Sequence, residues 1–260
     1  MAMSAASAPP RRGQRRLLVV VLRLVLAGVI LAGWEAYGRL VDSSLTSTPS
    51  DIAAVLAGWA RSVLWLNLGV TLFEIVAGLV LGVPVGIVAG LFLGRARVAG
   101  ALLRPIVVLF YSVPFIALTP LLIMWFGVGS ASKVMLIALS SFFLLFFNTF
   151  AGAQEVDPDL VAIADIMGAS RRERFVKVIA PACAPRILSG LKTALPFALI
   201  GAVIGEMLAA RAGLGNLLMD SGNDFDMAGL YAALAVLMVV GVVLNVLAQR
   251  LETWLLRWRP

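Results

Sequence analysis

The sequence predicts an all-α membrane protein: six membrane-spanning helices, with a structured polar loop between the fourth and the fifth. Three observations predict it. First, 61% of the 260 residues are hydrophobic and only 13% are charged, against about 25% charged in soluble chains. Second, polar intervals divide the chain into six apolar stretches, each close to the ~20 residues a bilayer crossing needs. Third, the basic residues segregate. Arg11, Arg12, Arg15, Arg16, Arg95, Arg97, Arg104, Arg171, Arg172, Arg174, Lys177, Arg186, Arg250, Arg257 and Arg259 fall on one side of this layout. Only Arg39, Arg61, Lys133 and Arg211 fall on the other, and Arg23 and Lys192 lie within segments. Every loop votes alike, so the positive-inside rule places both termini and the structured loop in the cytoplasm.

Taken in order, residues 1–16 read as a cytoplasmic N-terminal tail, Ala/Ser/Pro-rich and then Arg-rich. Residues 17–260 form the transmembrane domain. Arg15-Arg16 has the look of a twin-arginine signal. The apolar run to Val41 has no small-x-small cleavage site, so the pair is read as a helix anchor. Segment one spans about 17–40, and Arg23 can snorkel to the interface. Thr48-Pro49-Ser50-Asp51 then caps a short amphipathic helix to about Trp59.

Segment two, about 67–94, carries Gly78, Gly82, Gly86, Gly90 and Gly94. A glycine every four residues makes a flat ridge on which another helix can approach closely. Glu74 is an acid within this segment, placed to meet substrate or to pair with a neighbour. Segment three, about 100–127, is interrupted by Pro114 and Pro120. Such breaks free backbone groups at membrane depth, where they line a cavity or meet other helices. That makes Tyr111, Ser112, Pro114 and Thr119 candidate pathway residues, with simple kinking as the other reading. Segment four, about 131–151, is Phe-rich and reads as packing or lipid-facing surface. Segment five, about 186–209, contains Pro196 and ends near Glu206, a second candidate acid. An outer loop at 210–226 holds Asp220, Asp224 and Asp226, and segment six covers about 228–249.

The loop at about 155–185 has the clearest local signals. Asp157-Pro158 is an N-cap followed by proline at the first helical position. The helix runs from Asp159 to Met167 and shows Leu160, Ile163, Ala164 and Met167 at helical spacing. Gly168 supplies a left-handed stop. Ser170-Arg171-Arg172-Glu173 is a capping box, and the second helix is expected to end at Pro181 and Pro185.

The absences narrow the function. With no histidine and one cysteine, Cys183, disulfides, His–metal sites and histidine acid–base chemistry are excluded. No lysine follows a glycine, so there is no Walker phosphate cradle. The charge of +7 is distributed for topology and lipid, not for nucleic acid. A pathway protein without its own energy source, but with a stiff projection, suggests an external motor. The competing readings are a self-sufficient channel or ion-coupled carrier, and a membrane enzyme, which lacks a recognisable nucleophile–base set.

At these residues the chain resembles the permease subunits of bacterial ABC importers. Their cytoplasmic loop reads Glu-Ala-Ala, three residues, Gly, nine residues, Ile-x-Leu-Pro. Here Gly168 and Pro181 hold the glycine and proline at that spacing, and Ala164 holds the third position. Ala162 and Ile163 stand for the Glu-Ala, Val178 for the Ile and Ala180 for the Leu. Val113 to Leu121, Trp125 to Gly129, Gly205-Glu206-Met207-Leu208 and Gly213-Leu214-Gly215 resemble the subgroup importing sulfonates, taurine, nitrate or bicarbonate, and thiamine pyrimidine precursors.

The resemblance implies a type I ABC-importer permease in a bacterial inner membrane, working as a homodimer with two ATPase subunits and an extracytoplasmic solute-binding protein. It implies no cofactor. Helix 158–167 becomes the coupling helix, with Leu160, Ile163, Ala164 and Met167 as its apolar contacts. Gly168, Ala169, Arg171 and Pro181 shape the turn behind it.

Overall fold

The computed structural model describes residues 12–41, 46–96, 102, 105, 108–109 and 114–257. Candidate residues Tyr111 and Ser112 lie outside the described residues, as do Arg11, Arg97, Arg104 and Arg259. All regular structure among the described residues is helical. The elements are α1 (Arg12–Leu40), α2 (Pro49–Trp59), α3 (Leu64–Arg95), a 3₁₀ turn (Phe115–Leu118) leading into α4 (Thr119–Phe126), and α5 (Ser130–Gln154). After them come α6 (Pro158–Ile166), α7 (Arg171–Arg174), a π turn (Phe175–Ile179), α8 (Ala180–Ala209), α9 (Leu214–Asn223) and α10 (Met227–Leu255). Among the described residues, five helical stretches are long and apolar enough to cross a membrane, and Phe115–Phe126 is a shorter apolar one.

The glycine ridge builds the centre. A Cβ added at Gly86 would lie 2.6 Å from the Phe142 carbonyl oxygen, at Gly90 2.8 Å from that of Phe146, and at Gly94 2.9 Å from that of Phe150. The i, i+4 row of α3 therefore lies directly on the backbone of an i, i+4 row of α5. Both rows advance in the same direction, so α3 and α5 are parallel. Between them in the chain, the described residues include a shorter apolar helical stretch, Phe115–Phe126.

The remaining directions follow from other close approaches. A Cβ at Gly190 would meet Asn148 Cβ at 2.9 Å, and one at Gly205 would meet Lys133 Cγ at 2.7 Å, so α8 is antiparallel to α5. Gly241 faces Leu199 and Lys192 pairs with Glu252, so α10 is antiparallel to α8. At its C-terminal end α1 touches the start of α10, where Trp34 meets Tyr231 edge-on with centroids 5.7 Å apart. There Glu35 also caps α2, accepting from the Ser50 N–H at 3.1 Å and the Ser50 hydroxyl at 2.7 Å. Alternation along the chain puts the start of α1, the end of α10 and the α6–α7 projection at one end of the bundle.

One expectation is corrected. Pro181 and Pro185 do not end the second loop helix, because the chain is helical without a break from Arg171 to Ala209. The π turn accounts for this: the Ala180 N–H bonds to the Phe175 carbonyl five residues back. That wider turn shifts the Lys177 carbonyl that the Pro181 ring would otherwise strike, and Pro185 lies further on, inside α8. Of the two readings of the Phe run of α5, packing holds for Phe143 and Phe146, which are buried. Phe142, Phe146 and Phe150 stack along the helix with centroids 5.6–5.9 Å apart, and Phe143 meets Phe142 edge-on at 4.9 Å. The outer loop also contains a helix, α9, that its polar composition concealed.

Candidate functional site

At one end of the bundle, α6 and α7 form a rigid projection. Asp157 Oδ1 accepts from the Asp159 N–H at 2.9 Å, and Pro158 fills the first position. The helix closes in a Schellman motif: the Gly168 N–H donates to the Asp165 carbonyl and the Ala169 N–H to the Ala164 carbonyl, both at 3.0 Å. Gly168 has φ +79 and open space around it, so a side chain there is opposed by backbone conformation alone. The capping box is complete, with the Glu173 N–H to Ser170 Oγ at 3.2 Å and the Ser170 N–H to Glu173 Oε2 at 3.1 Å. Arg174 pairs with Asp165 and locks the two helices together.

The projection has an apolar face with nothing on it. Leu160 and Ile163 are exposed, while Ile166 and Met167 are 86% and 81% exposed. Ala164, Ala169 and Pro181 are half-buried, and Arg171 is exposed. Val161 points the other way, packing on the buried cluster of Leu91, Ala153, Val156, Ile179 and Cys183. The helix is thus seated by Val161 and presents its larger apolar side chains outward. Ile166, the most exposed of them, was missed by the sequence reading although it lies beside Ile163 and Met167 in the same turn.

At the opposite end is a sealed polar junction. Gly213, Leu214 and Gly215 begin α9, and their three N–H groups have no partner within the helix. Each is satisfied by a side chain from another helix. The Gly213 N–H donates to Asn67 Oδ1 at 2.6 Å, the Leu214 N–H to Thr71 Oγ1 at 2.9 Å, and the Gly215 N–H to Glu206 Oε2 at 2.6 Å. Thr71 Oγ1 donates to Glu206 Oε1 at 2.7 Å. Beside them Lys133 Nζ pairs with Glu74 Oε1 at 3.0 Å, with both side chains buried. Glu74 Oε2 has no hydrogen-bond partner among the described residues. The glycines are sterically required: a Cβ at Gly213 would enter the Glu206 carboxylate, and one at Gly215 would lie 2.9 Å from Glu206 Cβ.

Glu74 and Glu206, both candidate pathway acids, are therefore brought together in this junction with Lys133. Asn67 and Thr71 carry as much of it as the acids do. The sequence reading missed them because short uncharged polar residues in an apolar segment carry no periodic signal. Pro114 lines a separate cavity of about 290 Å³ with Phe115, Leu136, Ser140 and Phe197. Thr119 is buried and turned inward, its hydroxyl donating to the Ile116 carbonyl at 2.6 Å.

A polytopic helical bundle with an exposed apolar projection at one end and a sealed polar junction at the other belongs to the class of membrane transport subunits. The chain is a member of the family of binding-protein-dependent transport system inner membrane components, whose profile matches residues 82–258. It is 31% identical over 247 residues to the taurine transport system permease protein TauC of Escherichia coli, covering 92% of this chain and 90% of that one. It is likewise 31% identical over 232 residues to the formylaminopyrimidine transport permease protein ThiX of Halalkalibacterium halodurans, covering 89% and 93%. Its fold matches a chain of the inward-facing MetNI methionine ABC transporter with TM-score 0.60, covering 75% of this chain and 95% of that one at 20% identity.

Proposed function

We propose that this permease is one half of a homodimeric, ATP-driven importer of the bacterial inner membrane, with both termini and the α6–α7 projection in the cytoplasm. Two separate ATPase subunits seat α6, meeting it through Leu160, Ile163, Ala164 and Met167, with Gly168, Ala169, Arg171 and Pro181 holding the turn. An extracytoplasmic solute-binding protein delivers cargo to the end that carries the polar junction. Pro114, Thr119, Glu74 and Glu206, with Tyr111 and Ser112, are the proposed pathway residues. Among the cargoes the resemblance implies, taurine and a pyrimidine precursor match the named substrates of the two relatives above. Sulfonate and nitrate- or bicarbonate-like anions complete the range.

One observation carries this reading: α6 is capped at both ends and braced by Arg174–Asp165, yet its largest apolar side chains meet nothing. An exposed apolar patch on a stiff support marks an interaction site. Gly168→Val should leave the protein in the membrane, weaken ATPase copurification and abolish uptake. Normal copurification and uptake in that variant would overturn the reading. Uptake by the reconstituted permease alone, without ATP, would favour a self-sufficient channel or carrier.

A further inference from the structure

We infer that the sealed junction is a proton-binding site: while it is closed Glu206 carries a hydrogen on Oε1, and opening it releases that proton. The count of hydrogens points to this. Thr71 Oγ1 accepts from the Leu214 N–H at 2.9 Å, and it lies 2.7 Å from Glu206 Oε1 and 3.1 Å from the Asn67 carbonyl oxygen. A hydroxyl has one hydrogen to donate and two lone pairs. With Glu206 ionised, that one hydrogen must choose between two acceptors. With the hydrogen on Glu206, Glu206 donates to Thr71, Thr71 donates to the Asn67 carbonyl, and all three contacts are made at once. Glu206 Oε2 accepts from the Gly215 N–H at 2.6 Å in either case.

The charges agree with the count. The junction holds two carboxyl groups, Glu74 and Glu206, and one ammonium, Lys133, none more than 3% exposed. Lys133 pairs with Glu74 Oε1, and the fully buried Glu74 Oε2 has no donor among the described residues. The single cation is thus spent on a partner that is itself short of hydrogens. From α9, Glu206 receives one N–H only, because Asn67 and Thr71 take those of Gly213 and Leu214. The remaining charges at this end, Arg211, Asp220, Asp224 and Asp226, are exposed to solvent. The Gly213 backbone lies so close to the Glu206 carboxyl that not even a methyl group fits between them. A second charge buried there without a counter-ion is costly, and an acid in that position takes up a proton instead. When α8 and α9 part, Glu206 meets water and ionises. Sealing therefore binds a proton, and acid favours the sealed state. On the importer reading this end faces outside, so outer acidity biases the junction; the proton site itself does not depend on that reading.

The test uses the purified permease in an ester-free detergent near neutral pH, where infrared spectra separate protonated carboxyl groups from carboxylates. The native protein should show a protonated-carboxyl C=O stretch that Glu206→Gln abolishes. Glutamine has the shape of the protonated acid and can donate to Thr71 in its place, so this variant should fold. The double variant Lys133→Met with Glu74→Gln removes the other two charges and should keep the band. The second measurement is unfolding followed by tryptophan fluorescence. The chain has no histidine, so no other side chain ordinarily titrates between about pH 6 and 7.5. Over that range the native folded-to-unfolded ratio should fall about tenfold per pH unit, the slope of one extra proton in the folded state, and Glu206→Gln should flatten it. No band in the native protein, a band that survives Glu206→Gln, or a slope that Glu206→Gln leaves unchanged would overturn the inference. If Glu206→Gln failed to fold, the double variant would decide, since loss of its band or of its slope would also overturn it. None of these results bears on uptake or ATPase copurification, so the importer reading stands or falls separately.

Discussion

If α3 and α5 are in backbone contact, a single methyl group should separate them. Gly86 is the most direct probe. Its added Cβ would sit 2.6 Å from the Phe142 carbonyl oxygen, 3.1 Å from Leu145 Cβ and 3.2 Å from the Phe146 nitrogen. Two of these three atoms are backbone, so no rotamer change relieves the contact. Reaching ordinary contact requires the helices to open by roughly 0.8 Å in an interior packed to crystal density. Overpacking of this kind costs about 1–3 kcal/mol, or a fall in Tm of roughly 2–12 °C for a chain near this size. Gly69→Ala is the matched control, because nothing lies within 4 Å of its added Cβ and it reports the Gly-to-Ala helix preference alone. The protein supplies its own reporter. Cys183 is the sole cysteine and is fully buried, so a thiol-reactive fluorophore detects unfolding of the detergent-solubilised protein. The expected result is a lower midpoint for Gly86→Ala than for Gly69→Ala. Equal midpoints would show that the two helices are not held backbone to backbone.

The same thermal assay checks three further expectations. Thr71→Val keeps the shape of the side chain but strands the Leu214 N–H and weakens the hold on Glu206. It should destabilise by about 1–3 kcal/mol, and no loss would refute trans-capping of α9. Lys133→Met leaves Glu74 buried and unpaired, at a cost of about 3–5 kcal/mol, while Lys133→Met with Glu74→Gln should recover most of it. Additive losses in that cycle would refute the pair. Arg186→Met removes the 2.6 Å pair with Glu155, whose side chains are 52% and 56% exposed. It should shift the midpoint by no more than the exposed-pair range, about 0–1 kcal/mol, and a larger loss would mean this pair is structural.

What could be read from the sequence was whatever is encoded locally. The caps at Asp157 and Ser170 and the stop at Gly168 depend on neighbours within five residues, and all three formed as expected. The glycine ridge was legible because its period is that of the helix, although only the structure shows that its partner is a second i, i+4 row on α5. The polar junction was illegible for the opposite reason. Its bonds join Asn67 to Gly213, Thr71 to Leu214 and Thr71 to Glu206 across 135–146 residues. Lys133 was counted as an outer-side charge because nothing near it in the chain announces Glu74. Pro181 and Pro185 were read as breaks because the rule for proline assumes α geometry. The five-residue π turn ahead of Pro181 has no sequence signature of its own.

The two ends of the molecule differ in how they can respond to force. At the end that carries the junction, α3, α5, α8 and α9 meet, and separating any of them strands a buried polar group. At the opposite end the projection is internally rigid, but it joins α8 through a π turn, and α8 contains Pro185 and Pro196. Each proline removes one backbone bond, to the Pro181 and Lys192 carbonyls. Of the helices facing α5, α8 therefore has the weakest internal ladder on the side nearest the projection. By contrast, α3 has one proline, Pro84, and is clamped along its length by the glycine ridge. A push on α6 is thus opposed least along α8, whose far end holds Glu206. Glu206 accepts from the Gly215 N–H, so a displacement of α8 large enough to break that bond strands one N–H of α9, while Asn67 and Thr71 of α3 keep the Gly213 and Leu214 N–H groups. The junction and the projection are thus joined along α8, the helix facing α5 whose backbone proline interrupts most often.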